Sequence, residues 1–133
     1  MSIERIDISV LDSLTSLAKR DERLRQSCDL RNSLEDNSQR MLNAIEPKSV
    51  VPIHRHRHSS ETVVCLRGRL IELFYDEEGR LTHNVELTPV GPVVAYNIPK
   101  GQWHSVMSLE SGTVILEVKD GAYEPLCDED LLK

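Results

Sequence analysis

Hydrophobic positions change their period once along the chain. Between Ile8 and Arg20 the apolar residues fall at Val10, Leu11, Leu14, Leu17 and Ala18. That spacing places them on one face of a helix. Ser9 stands where an N-cap is expected, with Asp12 at the capping-box position. Residues 21–38 are polar and aperiodic and read as an irregular connector lying over the domain. Met41-Leu42-Asn43-Ala44-Ile45 opens the next ordered stretch and fits strand or helix.

From residue 47 onward short apolar runs alternate with turn residues. The runs cover 49–54, 61–66, 69–75, 81–87, 92–98, 103–109 and 112–118. Asp76-Glu77-Glu78-Gly79 reads as a hairpin and Glu110-Ser111-Gly112 as a turn. Pro52, Pro89, Pro92 and Pro99 sit near run ends, where a missing N–H is tolerated. Closely spaced strands of this kind predict a sandwich or barrel, with a jelly roll the natural candidate. Strand parity adds a constraint. Glu61, Val63 and Cys65 share one face, and Thr62, Val64 and Leu66 share the other. Both faces are largely apolar, so the sheet needs cover on both sides. The N-terminal helix or a second copy of the chain is expected to supply the outer layer, and a homodimer is expected on that basis. The resulting organisation is 1–38 as helix and connector, 39–120 as the barrel and 121–133 as a polar, acidic tail.

The chain has 133 residues, enough for one domain with its own core. Its net charge of −6 argues against nucleic acid or an anionic membrane as the main partner. No run reaches the ~18 apolar residues of a membrane span, and the first residues lack a signal-peptide core. The expected location is the cytoplasm. Cys28, Cys65 and Cys127 match no zinc or redox spacing and are expected to be free thiols.

The chemistry concentrates in two short segments. His54-Arg55-His56-Arg57-His58-Ser59-Ser60-Glu61 is one, and Pro99-Lys100-Gly101-Gln102-Trp103-His104 is the other. Residues i and i+2 of a strand share a face, so His54 and His56 can enter one cavity. Imidazoles and a carboxylate are ligands for a divalent transition metal. His58 shares their parity but precedes a turn, and is expected at the rim. His83 sits on a polar hairpin arm and is expected to be exposed.

These segments resemble the two motifs of the cupins. His54, His56, Glu61 and Gly68 match the first motif at every spacing. Pro99, Gly101 and His104 match the second, with Ser108 replacing its final Asn and Gly91 lying two residues too far upstream. The resemblance implies an all-β, cupin-type double-stranded β-helix (a jelly-roll barrel) with a short N-terminal helix. It also implies that His54, His56, Glu61 and His104 ligate one divalent metal, with Zn, Fe, Mn, Ni and Co all acceptable to the donor set. Over roughly residues 38–125 the chain is similar to a narrower group, the WbuC-type cupin-fold metalloproteins. The shared segments include Glu-Thr-x-Val-x-Leu-Arg-Gly-Arg-Leu and Leu-Glu-Val-Lys-x-Gly-x-Tyr-Glu-Pro. That group is associated with bacterial O-antigen and surface-polysaccharide gene clusters, which implies a sugar or nucleotide-sugar as ligand.

Three functions fit this reading. One is an enzyme acting on a sugar or nucleotide-sugar by isomerisation or a related step. Another is a metal-dependent binding module for a small carbohydrate or organic acid. The third is a non-haem iron dioxygenase. An acid–base enzyme needs a proton-transfer group besides the metal ligands. Glu72, Glu86 and Glu117 are candidates by residue type alone. Cys65 reads as a small core residue. Trp103, next to His104, is expected on the opposite face as a structural or dimer-face residue, and Phe74, Tyr75 and Tyr96 as packing residues. Arg55, Arg57, Arg67 and Arg69 are candidates for orienting an anionic ligand, with solvated strand edges the commoner role.

Overall fold

The computed structural model describes residues 3–132. Helix α1 spans Ile8–Arg20. Its N-cap is Asp7 and not Ser9: the Asp7 carboxylate accepts from the Val10 N–H at 3.2 Å and from the Ser9 hydroxyl at 2.7 Å. Aspartate caps as well as serine does, and the helix therefore starts two residues earlier than Ser9 capping implies. Eight strands follow: β1 Arg25–Asp29, β2 Ser38–Ile45, β3 Glu61–Arg67, β4 Leu70–Tyr75, β5 Leu81–Leu87, β6 Ala95–Ile98, β7 Trp103–Ser108 and β8 Val114–Asp120. They form a five-stranded sheet, β1-β2-β8-β3-β6, facing a three-stranded one, β5-β4-β7. All pairings within them are antiparallel. This is the predicted jelly-roll barrel.

Two expectations are corrected. Residues 21–38 are not wholly irregular, because Arg25–Asp29 pairs with Met41–Ile45. This short polar edge strand has no apolar alternation to reveal it; its order comes from the ladder. The run 49–54 is not a strand of its own. It is extended chain carrying Pro52, and His54 alone bridges to β7.

The five-stranded sheet is covered on both faces, its outer face apolar and its inner face apolar in one half. Outward, Leu42, Ala44 and Val114 pack with Leu11, Leu14 and Ala18 of α1. The helix thus covers much of the face that prompted the homodimer expectation. Arg67 staples it down, donating to Asp12 at 2.7 Å, Thr15 at 3.0 Å and the Gly112 carbonyl at 2.8 Å. Inward, Ile45, Val63, Cys65, Leu70, Phe74, Leu87, Ile98 and Ile115 fill part of the barrel. Tyr96 packs against them, and Cys65, its thiol pushed up to about 11 by burial, is the core residue expected.

Gly68 turns β3 into β4 at φ +84°. A Cβ there would lie 2.7 Å from the Thr113 Cα, closer than real Cβ atoms approach backbone. Gly68→Ala therefore meets both left-handed strain and a clash, and is expected to cost at least ~1–3 kcal/mol of unfolding free energy in a denaturant titration. Glu72 is on the inward face of β4 between Leu70 and Phe74, fully buried, with neither carboxylate oxygen hydrogen-bonded. Burial, reinforced by the charges of Glu61 and Glu117, pushes its carboxyl well above the usual range. The folded chain holds a proton that the unfolded chain releases above its ordinary value of 4.5. Wild-type stability must fall as pH rises from there toward the folded value. In metal-free protein, Glu72→Met is expected to raise stability by ~1–3 kcal/mol at neutral pH, with a smaller gain at pH ~4. Paired thermal melts at the two pH values check this.

Candidate metal centre

The second half of the barrel interior is polar. The inward parity that buries Ile115 on β8 also brings Glu117 and Lys119 inside, and the parity of Val63 brings Glu61 in. Gln39 and Asn43 of β2, Glu72 of β4 and His104 of β7 join them around a cavity of about 380 Å³.

Two adjacent segments deliver the imidazoles. His54 and His104 exchange backbone hydrogen bonds, N–H to carbonyl at 3.0 Å and 2.9 Å. Directly paired antiparallel residues present side chains on one face, and the two rings lie 4.3 Å apart by centroid. His56 follows two residues later on the same side, its backbone carbonyl accepting from the Gly101 N–H at 2.9 Å. Gly101 is at φ +77°, the turn that returns the chain into β7. One ring nitrogen from each of His54, His56 and His104 lies within 4.8 Å of the other two. Glu61 joins them: its Oε1 is 2.9 Å from His104 Nε2 and 4.0 Å from His56 Nε2.

The electrostatics suit a cation. Burial lowers His54 to about 4, helped by the neighbouring His104, and lowers His56 to about 4, helped by Lys119. Both are neutral at pH 7, the form that ligates. His54 Nδ1 is 2.8 Å from the Pro52 carbonyl and His104 Nδ1 is 2.9 Å from the Gln102 carbonyl. Such bonds put the proton on Nδ1 and leave Nε2 as the donor. His104 then faces acceptors through both nitrogens, a carbonyl and the Glu61 carboxylate. Two acceptors around one imidazole demand either a second proton or a cation beside Nε2. Two donors each ~2.1 Å from one ion, at adjacent corners, sit ~3 Å apart. Burial pushes Glu61 up, but the His104 contact and the charge of Lys119 outweigh it and hold the carboxyl at about 2. Its Oε2 is buried without a hydrogen bond, 3.8 Å from the Lys119 ammonium. The residues therefore fit a divalent transition metal.

Other candidates separate clearly. His58 is exposed at the cavity rim, outside the imidazole cluster. His83 is exposed and stacks on Phe74 at 4.5 Å. Glu86 pairs outside with Arg69 at 2.6 Å. Glu72 and Glu117, chosen by type alone, both line the cavity. Burial and the Glu61 charge raise Glu117 to about 7, and Asn43 donates to it at 3.1 Å. Trp103 is buried on the face opposite His104, under the Arg55 guanidinium at 4.6 Å.

The polar, acidic tail packs back against the barrel. Asp128–Asp130 forms a 3-10 turn, and Tyr123, Pro125, Cys127 and Asp130 help wall the cavity. Arg55 and Arg57 hold this tail, and Arg57 also lines the cavity. Arg57 pairs with Asp130 at 2.8 Å and with Glu129 at 3.1 Å, and Arg55 with Asp130 at 3.6 Å. The one sequence signal for this docking is the alternation of Arg with His in 54–58 opposite an acidic tail. Among the described residues no helix is long and apolar enough to cross a membrane.

Comparison with known proteins agrees with this fold. The structure is similar to KdgF from Halomonas sp., with a TM-score of 0.59 and 13% identity over 74% of this chain and 82% of that one. It is similar to CapF with the inhibitor 3-isopropenyl-tropolone, with a TM-score of 0.65 and 17% identity over 79% of this chain. It is also similar to Bacillus subtilis oxalate decarboxylase in a structure concerned with its Mn(II) centres, with a TM-score of 0.58 and 19% identity over 82% of this chain. The chain spans 30% of the CapF chain and 27% of the oxalate decarboxylase chain. No curated protein matches it. These likenesses concern the barrel. In sequence, residues 6–87 match the family described as Domain of unknown function (DUF6016). The chain belongs to that family and carries it on a cupin-type jelly-roll barrel.

Proposed function

We propose that the chain is a metal-dependent cupin that takes an oxygen-rich small molecule into the barrel beside one divalent metal. His54, His56, His104 and Glu61 would hold the ion. The observation that carries this reading is the convergence of three imidazoles on one cavity, with the Glu61 carboxylate 2.9 Å from His104 Nε2. The Mn(II) centres of the similar oxalate decarboxylase support a metal-bearing barrel without choosing among Zn, Fe, Mn, Ni and Co.

When bound, such an ion supplies Lewis-acid polarisation of a ligand oxygen. The chain's own residues supply the remainder. Asn43 and Glu117 present a donor and an acceptor to the cavity, and Lys119 an ammonium. Glu117, held near 7, has the proton affinity suited to moving a proton at neutral pH. A cavity of about 380 Å³ suits a ligand of about one sugar ring, or the sugar end of a nucleotide-sugar. The similarity to WbuC-type proteins supports a role in bacterial surface-polysaccharide, O-antigen-type synthesis.

Purified protein is expected to carry about one ion per chain by elemental analysis. His56→Ala and His104→Ala are expected to lose most of it, at least tenfold in affinity, while His58→Ala retains it. Unchanged stoichiometry in the first two, or loss in the third, contradicts the ligand set. A screen of the loaded protein against nucleotide-sugars by NMR, following turnover and binding together, separates enzyme from binding module. Oxygen consumption would select the dioxygenase instead.

A further inference from the structure

The His54–His56 segment lies between two supports. On one side is the second sheet, through the His54–His104 pair and the Gly101 N–H to His56 carbonyl bond. On the other side is the C-terminal tail. The Arg55 N–H donates to the Asp130 carbonyl at 3.0 Å, and the Leu132 N–H donates to the Ile53 carbonyl at 2.9 Å. Leu131 bridges His54 in antiparallel register, so the tail acts as a further rung of the sheet. Side chains repeat the arrangement. Residues 54 and 56 face the cavity, while Arg55 and Arg57 reach the tail. Asp130 is 6% exposed and lies between the two guanidiniums. Its second carboxylate oxygen accepts from the Cys127 N–H at 3.3 Å, which closes the 3-10 turn around it.

We propose that Asp130 is a positioning residue for the metal centre: by anchoring Arg55 and Arg57 it locks the tail onto the His54–His56 segment, so that ion binding and tail docking reinforce each other. The proposal rests on the reading of His54 and His56 as metal ligands. The physical reason is pre-organisation. A segment tethered on one side only loses more conformational freedom when two of its side chains bind one ion. The coupling is reciprocal, so what tail docking adds to ion affinity, the ion must return to tail docking.

The test uses full-length protein and two ions. Zinc affinity is measured by competition with a chromophoric chelator, and cobalt(II) replaces zinc to report ligand geometry by visible absorption. Amide exchange is followed at Arg55 and Leu132, with the β3–β8 ladder as an internal control. In the wild type, zinc is expected to slow exchange at both amides at least tenfold. Asp130→Ala is expected to weaken zinc at least tenfold, alter the cobalt(II) spectrum of the bound fraction and abolish the zinc-dependent protection of Leu132. Arg57→Ala, a partly exposed side chain outside the core, is expected to act in the same direction should Asp130→Ala fold poorly. Zinc affinity within threefold of wild type in folded variants overturns the proposal, as does wild-type zinc binding that leaves Leu132 exchange unchanged. A wild type that takes up no metal defeats the ligand assignment itself, and is distinguished from these outcomes by its elemental content.

Discussion

The pair of backbone hydrogen bonds between His54 and His104 is the contact on which the site depends. The two residues are fifty positions apart, and nothing local brings them together. Once the chain pairs them in antiparallel register, both rings must leave on the same face, and the ring centroids settle 4.3 Å apart. The i, i+2 rule then adds His56, and the inward parity of β3 adds Glu61 from the opposing sheet. The cluster is a consequence of sheet geometry more than of any local structure in the histidine-rich loop.

The same parity divides the barrel. Its inward positions are apolar in one half, where Ile45, Leu70, Phe74 and Ile115 pack, and polar in the other, where Gln39, Asn43, Glu61, Glu117 and Lys119 gather. One face of β8 runs from Ile115 to Lys119, from core to cavity, within a single strand. Burying so many ionisable groups is costly unless they are paired or serve a ligand. Three carboxylates, from Glu61, Glu72 and Glu117, share this interior with one ammonium, from Lys119. Burial accordingly drives Glu72 and Glu117 upward, whereas Glu61, beside His104 and Lys119, stays ionised. Perturbed proton affinities of this kind cluster at functional sites.

Much of this was legible from residue spacing. The helical period over 10–18 and the strand runs after residue 61 each reflect a periodicity that the backbone enforces, and the structure realises both. The five-stranded sheet does need cover on both faces, and α1 supplies much of the outer layer. What escaped the sequence depends on long-range pairing. β1 is a polar edge strand, ordered by a ladder with β2 that leaves no apolar alternation. The tail is polar and acidic, yet Asp130 is buried because Arg55 and Arg57 meet it from more than seventy residues upstream. The inward acids Glu72 and Glu117 could be singled out by type, and only the register of β4 and β8 separates them from Glu86 outside.

His54, His56, Glu61 and His104, as one site, should bind a single ion. Cobalt(II) titration of the wild-type protein, followed by visible absorption, tests this most directly. One site of this kind gives saturation at one ion per chain, with ligand-field bands of a nitrogen–oxygen donor set. Absorption that rises without saturating, or bands no different from those of the hexa-aqua ion, would contradict it.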